Sequence, residues 1–267
     1  MKDIINLLSY DIIYHLFSFR RLQVKVPKSQ PNYEERIFGS VGGRVISTIE
    51  LAAVIEYLKP KGSAKILDVG TGTGRVARKI LEASEARVIG IDIERDNIKN
   101  AKEKFSKNYA DKYDLIVADG QFLPFKNSSF DGITCIRTLK YFPNHQLGIR
   151  EMSRILKNGG TLVLTFSNLF SIDSFLVKLK ILAYRTLFNF RRPVQYLRHN
   201  NLVVVKYVGL HRIHPKIWTV FENTSFLFFL WAAEFVLQKI TPKELLSREI
   251  LVKLTKSVER SMKCVLE

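Results

Sequence analysis

The sequence predicts a three-layer α/β fold: a doubly wound, mostly parallel sheet with helices on both faces, N-terminal helices before it and a helical, lid-like insertion toward the C-terminus. Three observations carry this prediction. Between residues 64 and 166, short apolar runs of strand length alternate with stretches of helical periodicity. A glycine-rich turn, Gly70-Thr71-Gly72-Thr73-Gly74, joins the first apolar run directly to a helical pattern. Two later β-branched runs, 202–208 and 250–255, bring the strand count to seven.

Taken in order, residues 1–60 read as helices around a polar turn (Pro27 to Asn32), the second helix spanning about Arg44 to Leu58 and leading into the sheet through Lys59-Pro60-Lys61-Gly62. Strand 64–69, helix 73–83, strand 86–92, helix 94–106, strand 113–118, strand 130–136, helix 144–156 and strand 160–166 follow. The predicted organisation is an N-terminal helical segment (1–60), a ligand-binding core (61–166) and a remainder (167–267) holding the last strands and long helical insertions. Ligands of such sheets sit beyond the C-terminal ends of the strands.

The densest chemistry lies in Ile66-Leu67-Asp68-Val69-Gly70-Thr71-Gly72-Thr73-Gly74-Arg75. Glycine lets the backbone turn tightly and lets a ligand lie against bare amides at the positive end of the following helix. Spacing excludes two ligand classes. A dinucleotide fingerprint needs a third glycine where Arg75 stands, and a phosphate-cradling loop needs a Gly-Lys-Ser/Thr that is absent. The strand Arg87-Val88-Ile89-Gly90-Ile91-Asp92 ends in an acid 18 residues after Gly74, near the roughly 20-residue offset of ribose-binding carboxylates. A third acid, Asp119, follows Leu115-Ile116-Val117-Ala118 and precedes Gly120, Gln121 and Leu123-Pro124-Phe125.

This acid-x-Gly-x-Gly-x-Gly pattern resembles the first motif of class I S-adenosylmethionine (AdoMet)-dependent methyltransferases. The segments Phe130-Asp131-Gly132-Ile133-Thr134-Cys135-Ile136 and Ile155-Leu156-Lys157-Asn158-Gly159-Gly160-Thr161-Leu162-Val163-Leu164 resemble the later motifs of the same family. The resemblance covers about residues 64–166 and implies AdoMet as cofactor, with the last strand antiparallel. It implies that Asp68, Gly70, Thr71, Gly72 and Gly74 shape the methionine end of the site. Asp92 would hold the ribose, Ile93 pack on the adenine, and Asp119 with Gly120 and Gln121 read it. Ile136 and Arg137 border the methionine moiety. The core is similar to the broad group that includes ubiquinone and menaquinone methyltransferases, but the match does not reach their acceptor motifs.

Composition fits a folded cytoplasmic enzyme: 46% hydrophobic and 25% charged residues over 267 positions. Cys135 and Cys264 lack metal-ligand spacing, and a reducing compartment is the default. The N-terminal apolar residues are broken by Asp3, Asn6 and Asp11, which reads as an amphipathic helix with no cleavage site after it. The longest apolar window, Phe226 to Leu237, is interrupted by Glu234 and is too short to span a bilayer.

The chain carries a net charge of +17, and residues 167–221 concentrate it, with nine Lys/Arg against the single acid Asp173. The span 169–190 reads as one apolar, basic helix, followed by Arg191, Arg192 and Arg198. Three readings compete: an interfacial helix on anionic lipid, an RNA platform stacking bases on Phe170, Tyr184 or Tyr196, and a core helix with a solvated basic face. Between the two partners, aliphatic residues outnumbering aromatics favour an apolar or amphipathic small molecule, lipid-like or quinone-like, with peripheral membrane contact. RNA is the weaker alternative, and a non-catalytic binding protein on the same fold is another.

Catalytic candidates are few because AdoMet carries its own leaving group, so alignment and water exclusion can supply most of the acceleration. His145 and Tyr141 stand after the fourth strand, and His145 equally suits the start of a helix. His211 and His214 form His-x-x-His without a completing ligand, so no metal is expected, and they read either as a base or substrate contact or as structural residues. Tyr33, Arg36 and the Gly42-Gly43-Arg44 group precede the core, where Arg36 or Arg44 would pair with the cofactor carboxylate or equally stand as surface residues at helix starts. The fourth-strand exit, Ile136-Arg137-Thr138-Leu139, lacks the Asn-Pro-Pro-Tyr-like arrangement of exocyclic amine methylation, leaving oxygen or carbon as the expected acceptor atom.

Overall fold

The computed structural model describes residues 38–105, 109, 111–168, 170–171, 196–211, 213, 229–230, 232–234, 236–237, 242 and 247–257. Seven strands make one sheet: β1 (Lys65–Val69), β2 (Arg87–Asp92), β3 (Tyr113–Val117), β4 (Phe130–Cys135), β5 (Leu156–Ser167), β6 (Leu202–Leu210) and β7 (Glu249–Lys256). Their order is β3-β2-β1-β4-β5-β7-β6. The strands from β3 through β5 pair in parallel, and β7 runs antiparallel to both β5 and β6. The predicted fold class and the reversed last strand are thus both observed.

Strand periodicity sorts side chains into two cores, one on each face. Leu67, Val69, Ile133, Leu162, Leu164 and Val252 face helix α4 (His145–Ile155), which contributes Ile149, Met152 and Ile155. The intervening positions Ile66, Val88, Val163 and Leu251 face α1 (Val41–Leu58) and α2 (Arg75–Ala83), and Phe105 of α3 (Arg95–Phe105) joins them. Both faces being covered is why these strands read as continuous apolar runs rather than as alternation.

Local chemistry moves several predicted boundaries. The Ser40 hydroxyl accepts from the Gly43 amide, so Gly42 and Gly43, expected to precede the helix, form its first turn. Helix α2 starts at Arg75, two residues late, because Gly74 is left-handed as its N-cap. Strand β5 starts at Leu156 rather than 160, with Gly159 left-handed and the register against β4 shifting between Phe130 and Gly132. The predicted N-terminal segment before residue 38 and most of the predicted basic helix 169–190 lie outside the described residues. Among the described residues, no helix is long and apolar enough to cross a membrane.

One buried ion pair ties the sheet to the turn after β4. Lys140, in a short 3-10 helix (Leu139–Tyr141), places Nζ 2.9 Å from Oε1 of Glu249 at the start of β7, both side chains at most 5% exposed. Removing one partner leaves a buried charge uncompensated, whereas removing both does not. Glu249→Ala is therefore expected to destabilise the protein by about 3–5 kcal/mol in denaturant titration, and adding Lys140→Met to restore most of that loss.

Candidate functional site

The three predicted acids stand on neighbouring strands at one edge of the sheet. Asp68 lies in β1, Asp92 ends β2, and Asp119 follows β3. Strand β1 pairs with β2 on one side and β4 on the other, so the chain order reverses here and opens a crevice beyond the strand ends. The glycine turn crosses this crevice. Gly70, Gly72 and Gly74 have φ of 71°, 56° and 88°, and the Gly70 and Thr71 amides both donate to the Ile91 carbonyl at 2.8 Å. A Cβ on Gly70 would fall 2.2–2.7 Å from three atoms of the Thr138 side chain, whereas one on Gly72 would meet nothing within 4 Å. Gly72 thus borders open space, as a ligand cradle requires.

Each acid is held differently. Asp68 is 2% exposed, and its two oxygens accept from Thr71 Oγ1 (2.8 Å) and Thr134 Oγ1 (2.7 Å). Burial raises its carboxyl above 3.8, with the Thr134 and Thr71 bonds opposing the rise. Tyr113 of β3 adds a hydroxyl contact of 2.8 Å to Thr71. The Asp92 carboxylate accepts from the Gly72 amide (2.9 Å), the Glu94 amide (3.0 Å) and the Asn97 side chain (3.2 Å), which fixes the glycine turn and the start of α3 together. Asp119 accepts from the Gln121 amide (2.8 Å) and side chain (3.2 Å), and Gln121 Oε1 accepts from the Asn144 amide (2.8 Å). Gly120 is buried against Phe142, while Ile93 and Phe122 are 54% and 68% exposed at this edge.

The remaining predicted residues divide. The Ile136 side chain is buried in the core on the α1 face, and its carbonyl accepts from Thr138 Oγ1 (3.1 Å). His145 is the first residue of α4, whose cap is Asn144. Tyr141 ends the 3-10 helix with Lys140 Nζ 5.5 Å from its ring centre. Arg44 is exposed and donates to the Gly39 carbonyl. The Tyr196 hydroxyl donates to the Gln146 carbonyl (2.6 Å), and Arg198 is exposed. Tyr33, Arg36, Tyr184, Arg191, Arg192 and His214 lie outside the described residues. No group of His, Cys, Asp and Glu that could hold a metal ion occurs among the described residues.

Arg137 and His211 meet in a cluster that sequence reasoning did not find. Glu50 of α1, fully buried, receives Arg137 Nε on one oxygen (2.8 Å) and Arg75 Nη2 on the other (2.6 Å). Arg75 Nη1 also donates to Ser47 Oγ (2.9 Å), and Arg137 Nη2 lies 3.1 Å from His211 Nε2. The signal was present: Glu50 stands between Ile46 and Val54 at helical spacing, an acid inside an apolar stripe. Burial pushes the Glu50 carboxyl up, but Arg137 and Arg75, with His211, outweigh it and hold it well below 4.5. Burial, with Arg137, lowers the His211 imidazole below 6.5 and keeps it neutral. Arg137 and His211 have φ of 60° and 58°, left-handed conformations that cost non-glycine residues about 1–2 kcal/mol each.

Because the folded value of Glu50 is depressed, its contribution to stability is present above the unfolded value of about 4.5 and is lost as pH falls below it through the folded value. Glu50→Gln is expected to lower Tm at pH 7 and to flatten the decline of Tm on acidification below pH 4.5, measured by calorimetry across pH. Gly70→Ala, facing Thr138 with a positive φ, is expected to destabilise by roughly 2 kcal/mol or more in the same measurement.

Comparison with known proteins fits this geometry. Residues 67–164 match the sequence model of a family described as methyltransferase domain. A ubiquinone/menaquinone biosynthesis C-methyltransferase from Geotalea daltonii is 34% identical over 113 residues, 41% of this chain and 48% of that protein. The chain spans about half or less of the curated relatives it matches first. Among solved structures, geranyl diphosphate C-methyltransferase from Streptomyces coelicolor A3(2) superposes with a TM-score of 0.62 at 14% identity, covering 89% of each chain. The cyclase SpnF does so with a TM-score of 0.60 at 18% identity, covering 79% of this chain and 80% of its own. Fold, glycine turn and sequence match agree over one stretch of the chain: residues 67–164 form a methyltransferase domain.

Proposed function

We propose that this chain transfers a methyl group from AdoMet to a carbon or oxygen atom of a small, lipid-like or quinone-like acceptor. The observation that carries the reading is the glycine turn, open at Gly72, between Asp68 beneath it and Asp92 beside it. When bound, AdoMet supplies a methyl group on a cationic sulfonium that needs only an aligned electron pair to accept it. The chain's own residues then have three tasks: to bind, to orient and to exclude water.

Asp92, at a strand end with two oxygens, suits the paired hydroxyls of a ribose, a role that a neutral side chain fills less well. Asp119, with Gln121, Gly120 and the exposed Ile93, offers a polar edge and an apolar face for an adenine. Asp68 shapes the turn from beneath: its carboxylate is occupied by two threonine hydroxyls, so its task is conformational. The exit of β4 at Arg137, with His211 of the β6 exit against it, borders the methionine side. His211 turns Nε2 toward Arg137 and has a lowered pKa, which suits positioning better than proton uptake.

The likeness to a ubiquinone/menaquinone C-methyltransferase supports a small, largely apolar acceptor for this chain. Residues beyond 167 would then choose the acceptor.

Calorimetric titration with AdoMet and S-adenosylhomocysteine, against NADH and ATP, tests the reading. Selective binding of the first two is expected, and their failure to bind would remove it. Asp92→Asn, which leaves one oxygen for donors that now use two, is expected to lower Tm and, at a temperature where the variant is folded, to weaken AdoMet about 10- to 100-fold. Unaltered affinity would remove Asp92 from the ribose site.

A further inference from the structure

We propose that Glu50 is a positioning residue for the amino-acid end of the bound cofactor, its carboxylate clamping both ends of the glycine turn. The inference rests on the AdoMet reading and assigns a task within that site to a residue on a helix outside the 67–164 match.

The connection can be followed bond by bond. Arg75 directly follows Gly74 and reaches Glu50 Oε2. Arg137, at the exit of β4, reaches Oε1. The next residue, Thr138, shares its hydroxyl proton between the Ile136 carbonyl (3.1 Å) and the Gly70 carbonyl (3.3 Å), and its side chain fills the space where a Gly70 side chain would stand. One carboxylate therefore governs the turn from its Gly74 end through a single peptide, and from its Gly70 end through a single neighbouring residue. The two guanidinium groups lie over the same ring, Phe38, at 4.4 and 5.3 Å.

Two further observations point to function rather than simple packing. Arg137 and His211 are left-handed non-glycine residues in side-chain contact, and such strain persists only where its surroundings over-determine it. A buried charge cluster is also an inefficient source of stability compared with an apolar one of similar volume. The middle of the turn is held separately: Gly72 donates to Asp92, on the side assigned to ribose. The clamp and Asp92 thus divide the site into an amino-acid half and a nucleoside half.

That division gives the test. S-adenosylhomocysteine carries the amino-acid group, and 5′-methylthioadenosine keeps the adenosine and thioether without it. Both are titrated calorimetrically into the full chain, wild type, Glu50→Gln and Arg75→Met. Arg75 is the less buried partner, with a side chain 14% exposed, so its variant carries the test if Glu50→Gln does not fold. The expected result is that each variant weakens S-adenosylhomocysteine about tenfold, the loss of one charged hydrogen bond, and leaves methylthioadenosine unchanged. Equal weakening of both ligands, or of neither, overturns the clamp while leaving the AdoMet reading intact. A wild-type chain that binds neither ligand overturns both.

Discussion

The turn from β1 into α2 keeps its shape because a carboxylate is buried beneath it. Desolvating Asp68 is unfavourable by several kcal/mol, and the hydroxyls of Thr71 and Thr134 return only part of that. The arrangement needs β4 beside β1 to supply Thr134, and β3 two strands away to supply the Tyr113 hydroxyl on Thr71. The loop conformation is thus a consequence of strand order, since no single segment contains the partners that hold it. The raised Asp68 carboxyl records the same balance: burial pushes it up, and the two short hydroxyl bonds oppose the rise.

Glu50 shows the opposite outcome of the same physics. It is as deeply buried as Asp68, yet its carboxyl is driven down, because two guanidinium groups reach it and outweigh desolvation. One acid is therefore a strained acceptor of neutral hydrogen bonds, and the other an ion at the centre of a charged bridge. Between them the crevice has a rigid floor and a rigid rim, and Asp92 supplies a third constraint at Gly72.

Much of this was legible in the sequence, for identifiable reasons. The strands from 64 to 166 are buried on both faces and read as apolar runs, and the three acids fall at strand ends where a parallel sheet must place them. Local conformations that depend on one side chain were not legible. The start of α1 turns on the Ser40 cap, that of α2 on a left-handed Gly74, and that of β5 on a register shift. The Glu50 cluster was missed for another reason. In the sequence, Arg75 marks only the break in a dinucleotide fingerprint, and Arg137 only the border of the methionine pocket. Their common partner lies 25 positions before one and 87 before the other, a relation that only packing reveals.

Beyond the glycine turn, the same edge of the sheet is built largely from buried charge satisfied within the protein. Lys140, after β4, is bound to Glu249 at the start of β7, with the Ser167 hydroxyl of β5 3.4 Å from that carboxylate, and Arg137 is bound to Glu50. Such pairs add little net stability, because desolvation consumes most of their attraction, but they admit only a narrow range of geometries. Methyl transfer from a sulfonium makes that rigidity useful. The leaving group is already charged, little proton traffic is required, and the rate depends on holding donor and acceptor atoms in line without water between them. A wall of internally neutralised ion pairs would, in the proposed reading, meet this requirement without presenting an unpaired charge to an apolar acceptor. In the proposed reading, the buried charges around the β4 exit make the site stiff rather than reactive.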